Sequence, residues 1–353
     1  MSKPCSVAPA ATPAAAERSS SLAAITEEIP VCLAADEYYA PYMAVCIQSI
    51  MENAGKNRRY HFYILHRELS AATIAALQQQ VAPFPQFAIT FIDVTAHIDG
   101  YNFFCSRHIS VEAYFRLLIP YLLHAAEKAL YLDSDTICRC DVAELFDLDL
   151  RDNYLAAVRD HAVSDYYRHY HGRDFKKLHA VLLSLKNPGD YFNSGMLILN
   201  ARLVRETVSL PEMLALATSR QWQVHDQDVL NVFAAGKALL LPYRRNFMGY
   251  LRLLSDAQRR HLPEKLREEY AQAERDPQIV HYKFWADIGA TPYSATVWRY
   301  AMKTPVLDVL LQRASAEGYC RPNLHIDGIR AIKHRYLGGR FLLEAVKAWL
   351  WRW

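Results

Sequence analysis

The chain is short of net charge: 353 residues carry only +3. So small an excess gives no support to a nucleic-acid partner, and any basic surface must be local. No apolar run near the start is long enough for a signal core, so residues 1–28, rich in Ala, Ser and Pro, read as a disordered leader. No segment recurs at a fixed period, which argues against a solenoid. Cysteine pairing is missing too. The seven cysteines, Cys5, Cys32, Cys46, Cys105, Cys138, Cys140 and Cys320, are odd in number and scattered, the usage of free thiols in a reducing compartment. Cys138 and Cys140 lack the second pair that a zinc site needs and read as strand-edge residues. What is present fits a soluble globular protein: 52% hydrophobic and 22% charged residues, in a length that allows one large domain or a domain with an appendage.

Strand and helix patterns alternate along the chain. Ile29 to Ala35 reads as an apolar strand ending at Asp36, and Pro41 opens a helix in which Met43, Cys46, Ile47 and Ile50 share one face. Next come a strand over His61 to His66, a helix over Ser70 to Val81 and a strand over Phe87 to Val94. A helix over Ser110 to Leu118 then leads to a strand over Ala129 to Leu132. Leu155 to Arg159 and Phe192 to Asn200 supply two more strands. This order predicts an α/β fold with a mostly parallel twisted sheet covered on both faces. Between the last two strands, Asp160 to Tyr191 form a polar, aromatic insertion with His161, His169, His171 and His179. Their irregular spacing is that of surface histidines, and a mobile acceptor lid is the other reading of the insertion.

The stretch ALYLDSD, Ala129 to Asp135, joins an apolar run to two acids. A buried strand that ends abruptly in carboxylates opens at the sheet edge where α/β folds place ligands. Asp133 and Asp135 flank Ser134, and oxygen ligands so paired suit a hard cation, Mn²⁺ or Mg²⁺, able to grip a diphosphate. A strand followed by an Asp-rich turn is the plainer reading.

Five segments in order, LAADEYYAPY, HISVEAYFRL, ALYLDSDTI, YFNSGMLILN and HDQDVLN, resemble the family 8 retaining glycosyltransferases, especially the bacterial lipopolysaccharide galactosyl- and glucosyltransferases. The resemblance runs from Val31 to about His281. It implies a GT-A nucleotide-sugar-binding fold and UDP-hexose donors held through Mn²⁺. By the same resemblance Ala34, Ala35 and Asp36 match the positions that hold uracil and ribose. Tyr38 replaces a frequent Asn, and its ring could stack on the base. Arg116 matches an arginine at the donor sugar and the acid nearest the metal, and Ser134, between the acids, is expected among the donor-binding residues. Asn193, Ser194 and Gly195 match a turn that lets backbone approach the hexose, where a side chain at Gly195 would obstruct the donor. Asp226 falls at the hexose hydroxyls and Gln227 at the face of the anomeric carbon, while His281 matches the third metal ligand beside Asp133 and Asp135. Each has a plainer reading: Asp36 as a helix-approach residue, Arg116 as a snorkelling side chain, Asn193 to Gly195 as a strand-entry turn, Asp226 as an N-cap, His281 as a structural histidine.

After His281 the family has Gly and then Lys-Pro-Trp, whereas this chain reads HYKFWADIGATPY, so Lys283 and Trp285 stand at shifted positions. Beyond Ile329 the chain turns basic and aromatic, ending in Trp349, Trp351 and Trp353. Such a tail fits the surface of an anionic membrane, or a terminal helix docked on the protein's own core. The expected plan is a leader (1–28), a GT-A catalytic domain (29–290) and a helical C-terminal region with a membrane-surface tail (291–353). The expected activity is retaining transfer of galactose or glucose from UDP-galactose or UDP-glucose to a saccharide or glycolipid acceptor, in lipopolysaccharide core synthesis. The expected location is cytoplasmic, peripheral to the inner face of the cell membrane. A non-catalytic UDP-sugar-binding protein is the alternative. A haloacid dehalogenase-type phosphatase is a more distant one, because its Asp-x-Asp belongs on the first strand.

Overall fold

The computed structural model describes residues 28–105, 110–160, 185–248, 264–282 and 293–316. Residues 1–27 of the expected 1–28 leader, the four histidines of the insertion, Lys283, Trp285 and the basic-aromatic tail lie outside the described residues, while Glu28 opens the first strand. Among the described residues, no helix is long and apolar enough to cross a membrane.

Seven strands form the central sheet in the order β3-β2-β1-β4-β7-β6-β8. They are β1 (Glu28–Ala34), β2 (Arg59–His66), β3 (Phe87–Asp93), β4 (Ala129–Leu132), β6 (Leu155–Arg159), β7 (Phe192–Leu199) and β8 (Ala238–Leu241). β7 runs antiparallel to both β4 and β6, and every other pairing in the sheet is parallel. The expected α/β fold with a mostly parallel sheet is what the chain forms. A second sheet of three short strands joins β5 (Thr136–Cys138), β10 (Ile279–His281) and β9 (Phe247–Met248), with β10 in the middle. Cys138 therefore lies on an edge strand, though it is buried.

The central strands are apolar on both faces because both are covered. Ile29, Val31 and Leu33 of β1 enter one core and Cys32 and Ala34 the other. Leu130 and Leu132 against Ala129 and Tyr131 repeat the alternation in β4, as do Met196 and Ile198 against Leu197 and Leu199 in β7. This period of two distributes one strand between two hydrophobic layers.

Helix α1 (Ala40–Asn53) starts with Pro41 in its first turn, where the missing N–H costs nothing, and is buried from Ala40 to Ile50. Helix α2 (Ala71–Val81) is capped by Ser70, whose hydroxyl accepts from Thr73 N. Helix α3 (His225–Phe233) packs against β7 and against the 3-10 helix at Val111–Leu118. Near the end of the chain, α4 (Ser294–Ala301) and α5 (Leu307–Ala316) pack on α1 around a third core that includes Tyr42, Val45, Ile137, Val280, Tyr282 and Tyr300.

The helix expected over Ser110 to Leu118 forms, in a tighter variety. Val111–Leu118 is a 3-10 helix, not an α-helix. Its tighter winding stacks residues three apart. Arg116 Nε accordingly donates to the carbonyl of Ala113 at 2.8 Å, and Tyr114 through Leu118 are all buried.

Candidate active site

Because β7 is reversed, its first residues lie beside the last residues of β4 and β6, at the end of the sheet where β1 also terminates. Asp133 N donates to Gly195 O at 2.8 Å, which fastens the end of β4 to the start of β7. Ser134 is also a fastener: its buried hydroxyl donates to Ala34 O at 2.8 Å and ties β4 to β1.

Asp133 and Asp135 meet His281 through the second sheet. β10 pairs antiparallel with β5, His281 opposite Thr136, and Tyr282 N donates to Asp135 O at 3.1 Å. His281 Nε2 then lies 3.1 Å from Asp135 Oδ1 and 3.6 Å from Asp133 Oδ2. The three side chains each offer one ligand atom, all within 4.8 Å of one another, so they can hold a metal ion. Two carboxylates and an imidazole suit a divalent cation of the manganese type. Burial raises the pKa of Asp135 and the nearby Asp133 carboxylate adds to this, against the opposing pull of His281. Burial disfavours protonated His281, yet the Asp135 and Asp133 carboxylates hold its pKa above the usual imidazole range. A cation taking the proton's place relieves both.

Arg116 is the hub behind the acids. Only 5% exposed, its guanidinium meets Asp133 Oδ1 at 2.9 Å and Asp226 Oδ2 at 3.1 Å, and donates to Ser194 O at 2.6 Å and Ser194 Oγ at 3.0 Å. It also lies over the Tyr131 ring, 4.4 Å from the centroid. Tyr131 donates its hydroxyl to Asp133 Oδ1 at 2.8 Å. Oδ1 of Asp133 is thus fully engaged from behind, and Oδ2 is the oxygen that faces His281.

Asp226 does not cap α3. The N-cap is Val224, without a side-chain bond, and it is Asp228 Oδ2 that accepts from Val224 N at 2.9 Å. Asp226 instead accepts from Ser194 Oγ at 2.8 Å and pairs with Arg116. Burial pushes its pKa up to about 6 despite the arginine. Gln227 is saturated: Oε1 accepts from Asn193 Nδ2 at 3.0 Å and Ser194 N at 3.1 Å, while Nε2 donates to Asp160 Oδ2 and Tyr191 Oη, both at 3.2 Å. An amide has no capacity beyond two acceptor and two donor bonds.

His225, just before them, has φ of 52°, the left-handed region, and is buried against Phe104 and Tyr114. Neither ring nitrogen has a hydrogen-bond partner among the described residues. A strained backbone thus leads directly into Asp226 and Gln227.

Gly195 has a second reason for being glycine besides the expected approach of the donor. A Cβ there would stand 2.5 Å from Asp133 Oδ2 and 2.8 Å from His281 Nδ1, and closer still to His281 Cε1. The space it leaves is filled by the side chains of the candidate metal site themselves.

The residues expected to hold uracil and ribose form a separate group at the end of β1. Ala34 and Ala35 are buried, and Asp36 Oδ1 accepts from Tyr39 N at 2.7 Å, the helix-approach role. Tyr38 is half exposed. Its neighbour Tyr39 feels the acids more strongly: burial first, then the charges of Asp135 and Asp36, push its hydroxyl up to about 12.

Sequence reading passed over Asp160, Tyr131, Tyr191, Asp228 and Tyr39. Asp160 had a usable signal, since it follows the apolar run of β6 as Asp133 follows that of β4. Its N–H donates to Tyr191 O at 2.9 Å, closing the base of the insertion, where Arg159 also pairs with Asp190 at 3.6 Å.

A GT-A-like α/β domain with a candidate metal site at the strand ends defines the broad class. Residues 30–289 match glycosyl transferase family 8, and the chain belongs to that family. It is 28% identical over 226 residues to a Haemophilus influenzae protein named as a glycosyltransferase, covering 63% of this chain and 64% of that one. With a lipopolysaccharide 1,2-glucosyltransferase of Escherichia coli it shares 25% identity over 276 residues, 74% of this chain and 76% of the relative. The crystal structure of galactosyltransferase LgtC in complex with donor and acceptor sugar analogs shares the fold, with a TM-score of 0.63 and 24% identity over 78% of this chain and 96% of LgtC.

Proposed function

We propose that the protein is a retaining hexosyltransferase that moves galactose or glucose from a UDP-sugar to a saccharide acceptor in lipopolysaccharide core synthesis. The observation that carries this is the convergence of Asp133, Asp135 and His281 beside the Arg116, Asp226 and Gln227 network, in a chain of family 8. The relatives' names supply the two hexoses and the lipopolysaccharide acceptor.

Asp133, Asp135 and His281 would hold Mn²⁺, or Mg²⁺ in its place. The bound ion supplies charge neutralisation for the departing diphosphate. Asp36, with Ala34, Ala35 and Tyr38, lines the nucleotide end, and Lys283 is the residue proposed to meet the diphosphate. Asn193, Ser194 and Asp226 form the hexose end, with Arg116 orienting Ser194 and Asp226 through charge-assisted bonds. Retention needs either a nucleophile opposite the leaving group or attack by the acceptor from the leaving side. The oxygen of Gln227 already accepts two N–H bonds, which favours attack from the leaving side, with Gln227 steadying positive charge at the anomeric centre. Docking of the tail on an anionic membrane, at the inner face of the cell membrane, belongs to the same proposal.

The test is release of UDP from a panel of UDP-sugars with and without Mn²⁺, using Asp135→Asn as control. Release from one UDP-hexose that the variant cannot perform is the expected result. Mn²⁺-dependent binding of UDP without turnover of any sugar would favour the non-catalytic alternative instead. Failure to bind UDP would overturn the proposal.

A further inference from the structure

Helix α5 packs against α1, and from its last turn Arg313 reaches the loop between β1 and α1. That loop is held from one side by its own bonds: Tyr39 N to Asp36 Oδ1, and Ala40 N to Asp36 O at 2.9 Å. The carbonyl of Tyr38 accepts instead from Arg313 Nη1. The same guanidinium lies 4.4 Å from the centroid of the Tyr38 ring and 5.4 Å from that of Tyr42. Both are cation–π distances, and both rings meet Tyr39 edge-on, at 5.4 and 5.9 Å. Tyr38 is half exposed, so burial does not fix it. Tyr39 is partly buried and packs against two of the hydrophobic cores.

Building on the reading of this loop as the nucleotide end of the donor pocket, we infer that Arg313 is a positioning residue for binding of a nucleoside diphosphate. By gripping the Tyr38 carbonyl and ring from outside, it holds the turn in the shape that presents Asp36 and Tyr39 to the ligand. The guanidinium acts through Tyr38, so its removal loosens binding while leaving the groups around the anomeric carbon in place. An arginine on a helix far along the chain thereby serves a pocket formed near the beginning.

The test uses the full chain with Arg313→Ala and Arg313→Lys. UDP affinity in the presence of Mn²⁺ is measured by calorimetry, with KM and kcat for UDP-sugar turnover alongside. In Arg313→Ala, Kd for UDP and KM are expected to rise about fivefold, the weight of one partly exposed cation–π contact, with kcat within about twofold of wild type. Lysine keeps the charge but not the flat plate or the fork of donors, so it restores only part of the affinity. UDP binding by the alanine variant as tight as wild type overturns the inference. So does a fall in kcat that tracks loss of folded protein, because that is what a purely structural helix contact would produce. Should the alanine variant not fold, wild-type UDP affinity in the lysine variant overturns it equally. If wild-type protein itself fails to bind UDP, the donor reading falls, and this inference with it.

Discussion

Replacing Gly195 by alanine tests the metal site with a single carbon. The new Cβ would lie 2.5 Å from Asp133 Oδ2 and 2.8 Å from His281 Nδ1, where about 3.5 Å is a comfortable separation. One ligand, or both, must retreat by about 1 Å, far beyond the ~0.2 Å that metal–ligand distances tolerate. Asp133 has little freedom to do so, because Tyr131 and Arg116 hold its Oδ1 and its own N–H is bonded to Gly195 O. His281 is constrained by its place at the end of β10, opposite Thr136. Loss of a supporting partner alone weakens metal sites by about 10–100-fold, so displacement of a ligand should weaken Mn²⁺ binding by at least about 100-fold. That corresponds to roughly 2.8 kcal/mol at 1.4 kcal/mol per tenfold. The assay is Mn²⁺ titration in the absence of nucleotide, with circular dichroism to establish that the variant is folded. Wild-type Mn²⁺ affinity combined with a raised KM for the donor would refute the reasoning. It would show that the glycine makes room for sugar and not for the ligands.

Two further outcomes follow from the hub behind the acids. Arg116→Met leaves Asp133 and Asp226 without their shared cation, so stability should fall by about 3–5 kcal/mol in urea denaturation, and Lys should not rescue it because no ammonium reproduces the four-way contact. Asp226 has a folded-state pKa of about 6 against an ordinary 3.8, so between about pH 4 and 6 the folded state holds a proton that the unfolded state has released. Its contribution to stability is therefore greatest below about pH 4 and is lost as pH rises towards 6. Denaturation midpoints of Asp226→Asn should lack that decline. Turnover by wild type, which needs the carboxylate form to face Arg116, should climb through pH about 6.

The strands were readable because each is a short apolar run with a polar stop, and Ala129–Leu132 and Leu155–Arg159 are observed with the same bounds. Reversal of β7 was not readable: Met196–Leu199 is apolar on both faces, and such a run looks alike in either direction. The acid pair at Asp133 and Asp135 stood out by composition. His281 did not, since only the pairing of β10 with β5 brings it there, and its link to the acids came from family resemblance. The hub role of Arg116 depends on groups from β4, β7 and α3 arriving at one point, which no local pattern encodes. Gly195 shows the limit most clearly. Sequence marked it as a place where a side chain is excluded, but which neighbour excludes it is a property of the assembled site.

The bond between Asp160 N and Tyr191 O has a consequence for how such a chain can diversify. It closes the insertion at its base, and Gln227 spans the same two residues from the floor of the site. The intervening segment is thus a cassette with both clips on the scaffold. Exchanging it for one twice as long should add only about 0.6 kcal/mol of closure entropy. Swapping that segment between relatives, with acceptor preference and UDP and Mn²⁺ affinities as the readouts, tests the reading of the insertion as an acceptor lid: a changed preference with both affinities unchanged is the expected outcome.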